Sequence, residues 1–280
     1  MTALGPREFA ALYREETRLV WARWTPAMQE RIALHCRGWA PGRFDFSRYL
    51  EASLRRYYVA YRAFAKEPAR TVCDVGGFWG VFPATLARIG YEVSLTESLR
   101  YYGDSFAPIF DHLAGRGVRV VDYDPFGDAA APLAADLVTV MAVLEHYPSS
   151  LRRFMANVTA MLSPGGRLYV EVPNIAYWPK RVGLLHGRSP LADLEDVWDS
   201  AEPYLGHHRE FTREDLRRLA RLAGLAVLKE DAFNYSATGS AAARLLRRPV
   251  ETLAMALFPA TREVLCALCA RREGAATTAR

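Results

Sequence analysis

The sequence predicts a doubly wound α/β fold, a mostly parallel sheet of seven strands with helices on both faces, preceded by a helical segment. Three observations carry this expectation. Residues 71–98, TVCDVGGFWGVFPATLARIGYEVSLTES, run as an apolar strand, a glycine-rich turn, an amphipathic helix and a second strand ending on an acid. That is the order of a nucleotide-binding βαβ unit. From residue 71 onward strand and helix patterns alternate, which implies parallel pairing. Residues 6–67 instead repeat apolar positions at three- and four-residue spacing, as amphipathic helices do.

In order along the chain, Pro6 suits a first helical turn. The stretch FSRYLEASLRRYYVAYRAFA (46–65) carries a stripe through Phe46, Leu50, Leu54, Tyr57 and Tyr61 that reads first as a core face. Strands are expected near 71–75, 92–96, 118–122, 136–141, 167–172, 225–231 and 263–270, with helices near 79–89, 99–114, 149–162 and 212–223. Ser149 or Ser150 can cap the helix at 149–162, and Thr212 with Asp215 makes a capping box. Pro164–Gly165 supplies the turn into the fifth strand. Residues 174–211 break the alternation and leave the carboxyl end of a strand, where open α/β sheets bind ligands. Trp178, Trp198, Tyr204, His207 and His208 make that segment either a substrate wall or a helical insert packing its own aromatics. Both readings stay open. The tail 273–280 is small and polar and is expected to be disordered.

Composition narrows the class. A hydrophobic content of 51% and a charged content of 24% over 280 residues suit a globular domain of ordinary enzyme size with an appendage. No apolar stretch approaches the ~20 residues that span a bilayer. The opening MTALGPREFAALYREE shows no basic region followed by an apolar core, so no secretory leader is expected and a cytoplasmic location follows by default. The formal charge of +5 does not imply nucleic acid, because the arginines are spread between acids rather than clustered. Pairs such as Arg55–Arg56 and Arg247–Arg248 read as solvated helix faces. Cys36, Cys73, Cys266 and Cys269 make no disulfide framework. Cys266 and Cys269, three apart on a strand, point to opposite faces and cannot share a metal.

The glycine turn carries the nucleotide question. Gly76, Gly77 and Gly80 follow Asp74, and Glu97 ends the second strand where a carboxylate accepts hydrogen bonds from a ribose diol. A dinucleotide fingerprint wants G-x-G-x-x-G, and Phe78 fills its second glycine position, which disfavours a pyrophosphate and makes NAD a poor fit. Further on, LVTVMAVLEHYP (137–148) runs into Glu145 and His146, and LSPGGRLYVEVPN (162–174) follows a helix. Together these segments resemble the class I S-adenosylmethionine-dependent methyltransferases, in which D-x-G-x-G-x-G, a second-strand acid, an L-E-H segment and an L-x-P-G-G turn recur in this order. The resemblance covers roughly residues 68–235, and Phe78 at the middle glycine is its one departure.

The resemblance implies a Rossmann-like methyltransferase fold, with residues 1–67 as a helical cap and 68–272 as the cofactor-binding domain containing the insert 174–211. It implies S-adenosylmethionine held by Asp74, Gly76, Gly77, Gly80 and Glu97, with Asp122 as a contact to the adenine amino group and Asp124 as its rival. Helices ahead of the first strand often form a lid in that family, so the tyrosines of the 46–65 stripe have two candidate roles. A hydroxyl acceptor needs a base, and histidine suits neutral pH; His146, His207 and His208 are the candidates. Glu145, His146 and an insert histidine also form a possible metal set, but no spacing demands one, and none is assigned. The expected activity is methyl transfer to a small-molecule hydroxyl, a sugar or secondary metabolite, with no nucleic-acid or membrane partner. An amine acceptor and a non-catalytic binding protein retaining the fold are the alternatives.

Overall fold

The computed structural model describes residues 3–127, 133–236 and 241–272, so the expected disordered tail lies outside the described residues. Three helices come first: α1 (Pro6–Trp21), α2 (Pro26–Ala33) and α3 (Phe46–Phe64). Each start is chemically marked. Pro6 opens α1, the Thr25 hydroxyl accepts from the Met28 amide at 3.3 Å, and the Asp45 carboxylate accepts from the Arg48 amide at 3.0 Å. Phe46, Leu50 and Tyr61 of the α3 stripe are buried, and α1 packs against α3.

The alternating part follows as β1 (Thr71–Val75), α4 (Val81–Ile89), β2 (Glu92–Glu97), α5 (Ala107–Gly115), β3 (Arg119–Asp122), β4 (Ala135–Met141), α6 (Leu151–Ala160) and β5 (Leu162–Pro173). Then come α7 (Trp178–Leu185), α8 (Leu194–Trp198), α9 (Arg213–Leu222), β6 (Leu225–Phe233), α10 (Ala241–Arg247), α11 (Pro249–Leu257) and β7 (Val264–Arg271). Seven strands form one sheet in the order β3-β2-β1-β4-β5-β7-β6, parallel except for β7, which runs antiparallel to both neighbours. The chain winds outward from β1 to β3 and then returns to place β4 beside β1. That reversal opens a crevice at the carboxyl ends of β1 and β4.

Side chains alternate across the sheet. Val72, Val93, Leu137 and Tyr169 join a core under α1, α3 and α4, while Cys73, Val75, Val138 and Val140 join one under α6 and α9. Burial on both faces is what a parallel sheet requires. Cys266 and Cys269 fall in different cores, on opposite faces as expected.

Two segments differ from expectation. The helix expected over 99–114 breaks into single turns at Leu99–Tyr101 and Asp104–Phe106 before α5 begins. Gly103 at φ 73 interrupts the backbone, and Pro108 fits only the first turn of the helix that follows. Between β6 and β7 the chain inserts α10 and α11, and α11 packs on α7. The capping box at Thr212–Asp215 forms as its sequence predicts.

Candidate active site

At the crevice lies a cavity of about 560 Å³. Its floor is built from residues just past the sheet strands: Gly76 after β1, Ala142 and Val143 after β4, and Asn174 after β5. Its roof comes from elements far apart in sequence, namely Tyr49, Arg56 and Tyr57 of α3, Lys180 of α7, His207 and Glu210 ahead of α9, and Tyr235 after β6. The loop 34–43 clasps the segment after α8: the Ala201 amide donates to Leu34 O and the Leu205 amide to His35 O, both at 2.7 Å.

The glycine turn folds by alternating into the left-handed region. Gly76 takes φ 66, Phe78 φ 53 and Gly80 φ 70, the last as N-cap of α4. A Cβ on Gly76 would stand 2.6 Å from Val143, so close approach adds to the conformational requirement there. Phe78 is not a glycine, and its φ costs about 1 kcal/mol. The ring is held in an aromatic cluster with Trp79 at 4.6 Å, Phe46 at 6.1 Å and Trp39 at 6.2 Å. The turn therefore keeps the path that a glycine would give it. Ala142 (φ 53) is the other non-glycine in this region among the described residues, and it too lies on the cavity wall. Strained backbone of this kind gathers at functional sites.

Glu97 lines the cavity and is 9% exposed. It accepts from the Phe78 amide at 2.5 Å and from the Tyr102 hydroxyl. Burial pushes its carboxyl up to about 8 against these bonds, with Asp74 and Asp124 adding to the rise. Asp74 stands behind the wall, where burial raises it to about 7 although the Thr139 hydroxyl donates to Oδ1 at 2.5 Å. Its Oδ2 is buried without a partner, beside Gly77. Of the expected cofactor residues, Gly76 and Glu97 line the cavity; Asp74, Gly77 and Gly80 support them from behind. Asp122 is exposed, accepts from the Leu99 amide at 3.0 Å and does not line the cavity. Its rival Asp124 pairs with Arg100 at 2.8 Å, also off the wall.

Glu145, His146 and His207 also line the cavity and converge, with one potential ligand atom from each within 4.8 Å of the others. The His146 ring donates from Nδ1 to Leu205 O at 2.6 Å, which leaves Nε2 with its lone pair. Burial, with His207 nearby, lowers His146 to about 3, so its ring is neutral. His207 Nδ1 bonds Glu210 Oε1 at 3.1 Å, and its Nε2 stands 3.9 Å from Glu145 Oε1. Burial raises Glu210, but its bonds to His207 and Lys180 outweigh that and hold it below the ordinary carboxylate range. Burial raises Glu145 to about 7, and its Oε2 has no partner. His208 is set apart by its direction: its Nε2 bonds Tyr204 O at 2.9 Å, outside the cavity.

The expected aromatic wall is only partly realised. Trp198 is 84% exposed, and Tyr204 packs on His208 rather than lining the cavity. The aromatic surface comes instead from α3 and the loop before it. Arg56 is a second correction, since it does not lie on a solvated face. It is buried, ion-paired with Glu171 of β5, donates to the Tyr49 hydroxyl at 3.0 Å and lies 5.3 Å from the centre of the Tyr235 ring. Glu210, three residues after His207, was legible as an i,i+3 partner; Lys180, Tyr235 and Glu263 carried no local signal.

A family model described as a methyltransferase domain matches residues 46–230, well over half of the chain. The chain belongs to that family. It is a class I S-adenosylmethionine-dependent methyltransferase. Demethylspheroidene O-methyltransferase of Rhodobacter capsulatus is 34% identical to this methyltransferase over 108 residues, 37% of this chain and 25% of that one, so the match spans a quarter of that relative's length. Among solved structures, 1,6-didemethyltoxoflavin-N1-methyltransferase of Burkholderia thailandensis, with its substrate and S-adenosylhomocysteine bound, superposes with a TM-score of 0.50 at 16% identity, covering 98% of this chain and 93% of that one. An O-methyltransferase family protein of the same organism gives 0.52 at 17% identity over 95% and 73%. At these identities the structural likeness is one of fold. No helix among the described residues is long and apolar enough to cross a membrane.

Proposed function

We propose that this methyltransferase acts on a hydroxyl of a small molecule, a sugar or a secondary metabolite, and that the aromatic roof favours a metabolite with a flat apolar surface. S-Adenosylmethionine supplies a methyl group already activated by its sulfonium. The residues present fit that donor. Glu97 offers a buried carboxylate on the cavity wall, and Asp74 holds a buried oxygen without a partner beneath the turn. We assign Glu97 to the ribose hydroxyls and the turn Gly76–Gly80, backed by Asp74, to the methionine end. Asp122 serves the adenine end indirectly, by fixing the Leu99 amide.

The observation that carries the hydroxyl reading is the convergence of Glu145, His146 and His207 within 4.8 Å on the wall of the cavity that Gly76 and Glu97 also line. A hydroxyl must lose a proton to be methylated, whereas an amine needs only to arrive unprotonated. Three lone-pair groups at one point serve the first case and are superfluous for the second. A cavity of 560 Å³ suits a small acceptor rather than a nucleic acid.

The test is acceptor screening with phenols, sugars and matched amines, read by S-adenosylhomocysteine release and product mass. His207→Ala should lower the rate on a hydroxyl by about 10²–10⁴-fold, and His208→Ala should leave it within about threefold, since that ring lies off the wall. Methylation confined to amines, indifferent to His207→Ala, would refute the reading.

A further inference from the structure

We propose that Glu145, His146 and His207 bind a divalent first-row metal ion of the Zn²⁺ type, with an open coordination position facing the cavity. Its catalytic use, though not its binding, rests on the hydroxyl-acceptor reading above. A metal site needs lone pairs that converge, a second shell that fixes them and a position left open. The structure supplies each.

One carboxylate oxygen of the set is committed to nothing else. Glu145 is 1% exposed and its Oε2 is buried without a hydrogen-bond partner. Such an orphan carboxylate oxygen is costly unless a cation or donor meets it. Both imidazoles have their protons fixed on Nδ1, His146 by the Leu205 carbonyl at 2.6 Å and His207 by the Glu210 carboxylate at 3.1 Å. In its neutral form each ring then presents Nε2 as an acceptor. Metal-bound histidines are held in this way, the other ring nitrogen donating to a carbonyl or carboxylate. Glu210 is anchored in turn by Lys180, so the second shell reaches back to α7.

The dimensions are close to those of a loaded site. Ligands about 2.0–2.1 Å from a tetrahedral ion stand roughly 3.4 Å apart. His207 Nε2 and Glu145 Oε1 are 3.9 Å apart, and the whole set lies within 4.8 Å. Small side-chain rotations close the difference. Two imidazoles and one carboxylate are a donor set for zinc, iron or cobalt, whereas Mg²⁺ and Ca²⁺ want oxygens. All three residues line the cavity, so a fourth position opens toward the acceptor. With an ion in place the three lone pairs would no longer take the proton themselves: a hydroxyl oxygen would complete the coordination there and lose its proton to solvent. Its O–CH₃ bond then forms as the S–CH₃ bond of the donor breaks, leaving S-adenosylhomocysteine.

The test is metal binding by the full chain, stripped with EDTA and titrated with Zn²⁺ by calorimetry and with Co²⁺ by visible absorption. One equivalent should bind with micromolar or tighter affinity, and Co²⁺ should give d–d bands of low coordination number. Glu145→Gln and His207→Ala should weaken binding at least 100-fold. Glu210→Gln, which removes no ligand, should weaken it about 10–100-fold. Circular dichroism and the thermal shift with S-adenosylhomocysteine check that each variant folds. Binding of less than one equivalent by wild type, or unchanged affinity in His207→Ala and Glu210→Gln, would overturn the site. Hydroxyl methylation that persists at full rate in EDTA would overturn its catalytic use and leave the acceptor reading standing. Tight Zn²⁺ binding with methylation of amines only would support the site and remove the acceptor reading.

Discussion

Cofactor binding should release a proton from Glu97. In the free protein burial holds this carboxyl up to about 8, with Asp74 and Asp124 adding to the rise, and with the Phe78 amide and the Tyr102 hydroxyl opposing it. The ribose hydroxyls assigned to it would donate to the ionised form and favour it. At pH 6, two pH units below the folded value, ionisation costs about 2.7 kcal/mol. S-Adenosylhomocysteine should therefore bind up to ~100-fold more weakly at pH 6 than at pH 9. Near pH 7 binding should release close to one proton, measurable by calorimetry in two buffers of different ionisation enthalpy. The same group sets a stability slope. Because its folded value lies above the unfolded one near 4.5, its favourable contribution is complete below pH 4.5 and is lost as pH rises toward 8, up to roughly 4 kcal/mol. Glu97→Gln removes the titrating group, so it should flatten both dependences and weaken the cofactor at pH 9. Affinity that is flat from pH 6 to 9 in wild type, or an equal slope in Glu97→Gln, would refute the assignment.

Two further substitutions probe how the site is supported. Arg56→Met leaves Glu171 buried and unpaired, and should cost about 3–5 kcal/mol in urea unfolding, with most of it restored in the Arg56→Met/Glu171→Met double variant; a loss below about 1 kcal/mol would mean the pair is not desolvated. Phe78→Gly relieves about 1 kcal/mol of left-handed strain but forfeits ~1.5–3 kcal/mol of ring burial. A net loss near 1 kcal/mol with unchanged S-adenosylhomocysteine affinity is expected, and a variant more stable than wild type would show that strain outweighs the aromatic cluster.

What was legible in the sequence follows the range of the interactions involved. The donor side is local: β1, the turn at Gly76–Gly80 and Glu97 lie within 27 residues of one another, counting from Thr71 to Glu97. Strand period, glycine spacing and a terminal acid were enough to read the path of this βαβ unit. The antiparallel placement of β7 between β5 and β6 was not legible, because an apolar terminal strand carries no mark of its direction. Arg56 was misread for a related reason. Its neighbour Arg55 and the charged surface of α3 suggest solvent, and only Glu171, 115 residues away, makes burial of Arg56 tolerable.

The wall carrying Glu145, His146 and His207 shows the same limit from the other side. Histidines were named as candidates by residue type and by their place along the chain, and neither could separate His207 from His208. The distinction is one of direction. His208 turns its Nε2 back to Tyr204 O, while His207 is aimed inward by Glu210 and by the backbone amide of His208, which donates to Glu145 O at 2.7 Å. That last bond ties the residue after His207 to the residue before His146, so the main chain itself brings the two histidines to ring centres 4.9 Å apart. The convergence of Glu145, His146 and His207 is therefore a property of a backbone contact between the end of β4 and the segment before α9. Changing side chains at the cavity mouth should tune the acceptor without dispersing the group, whereas loosening that contact should disperse it even with all three residues intact.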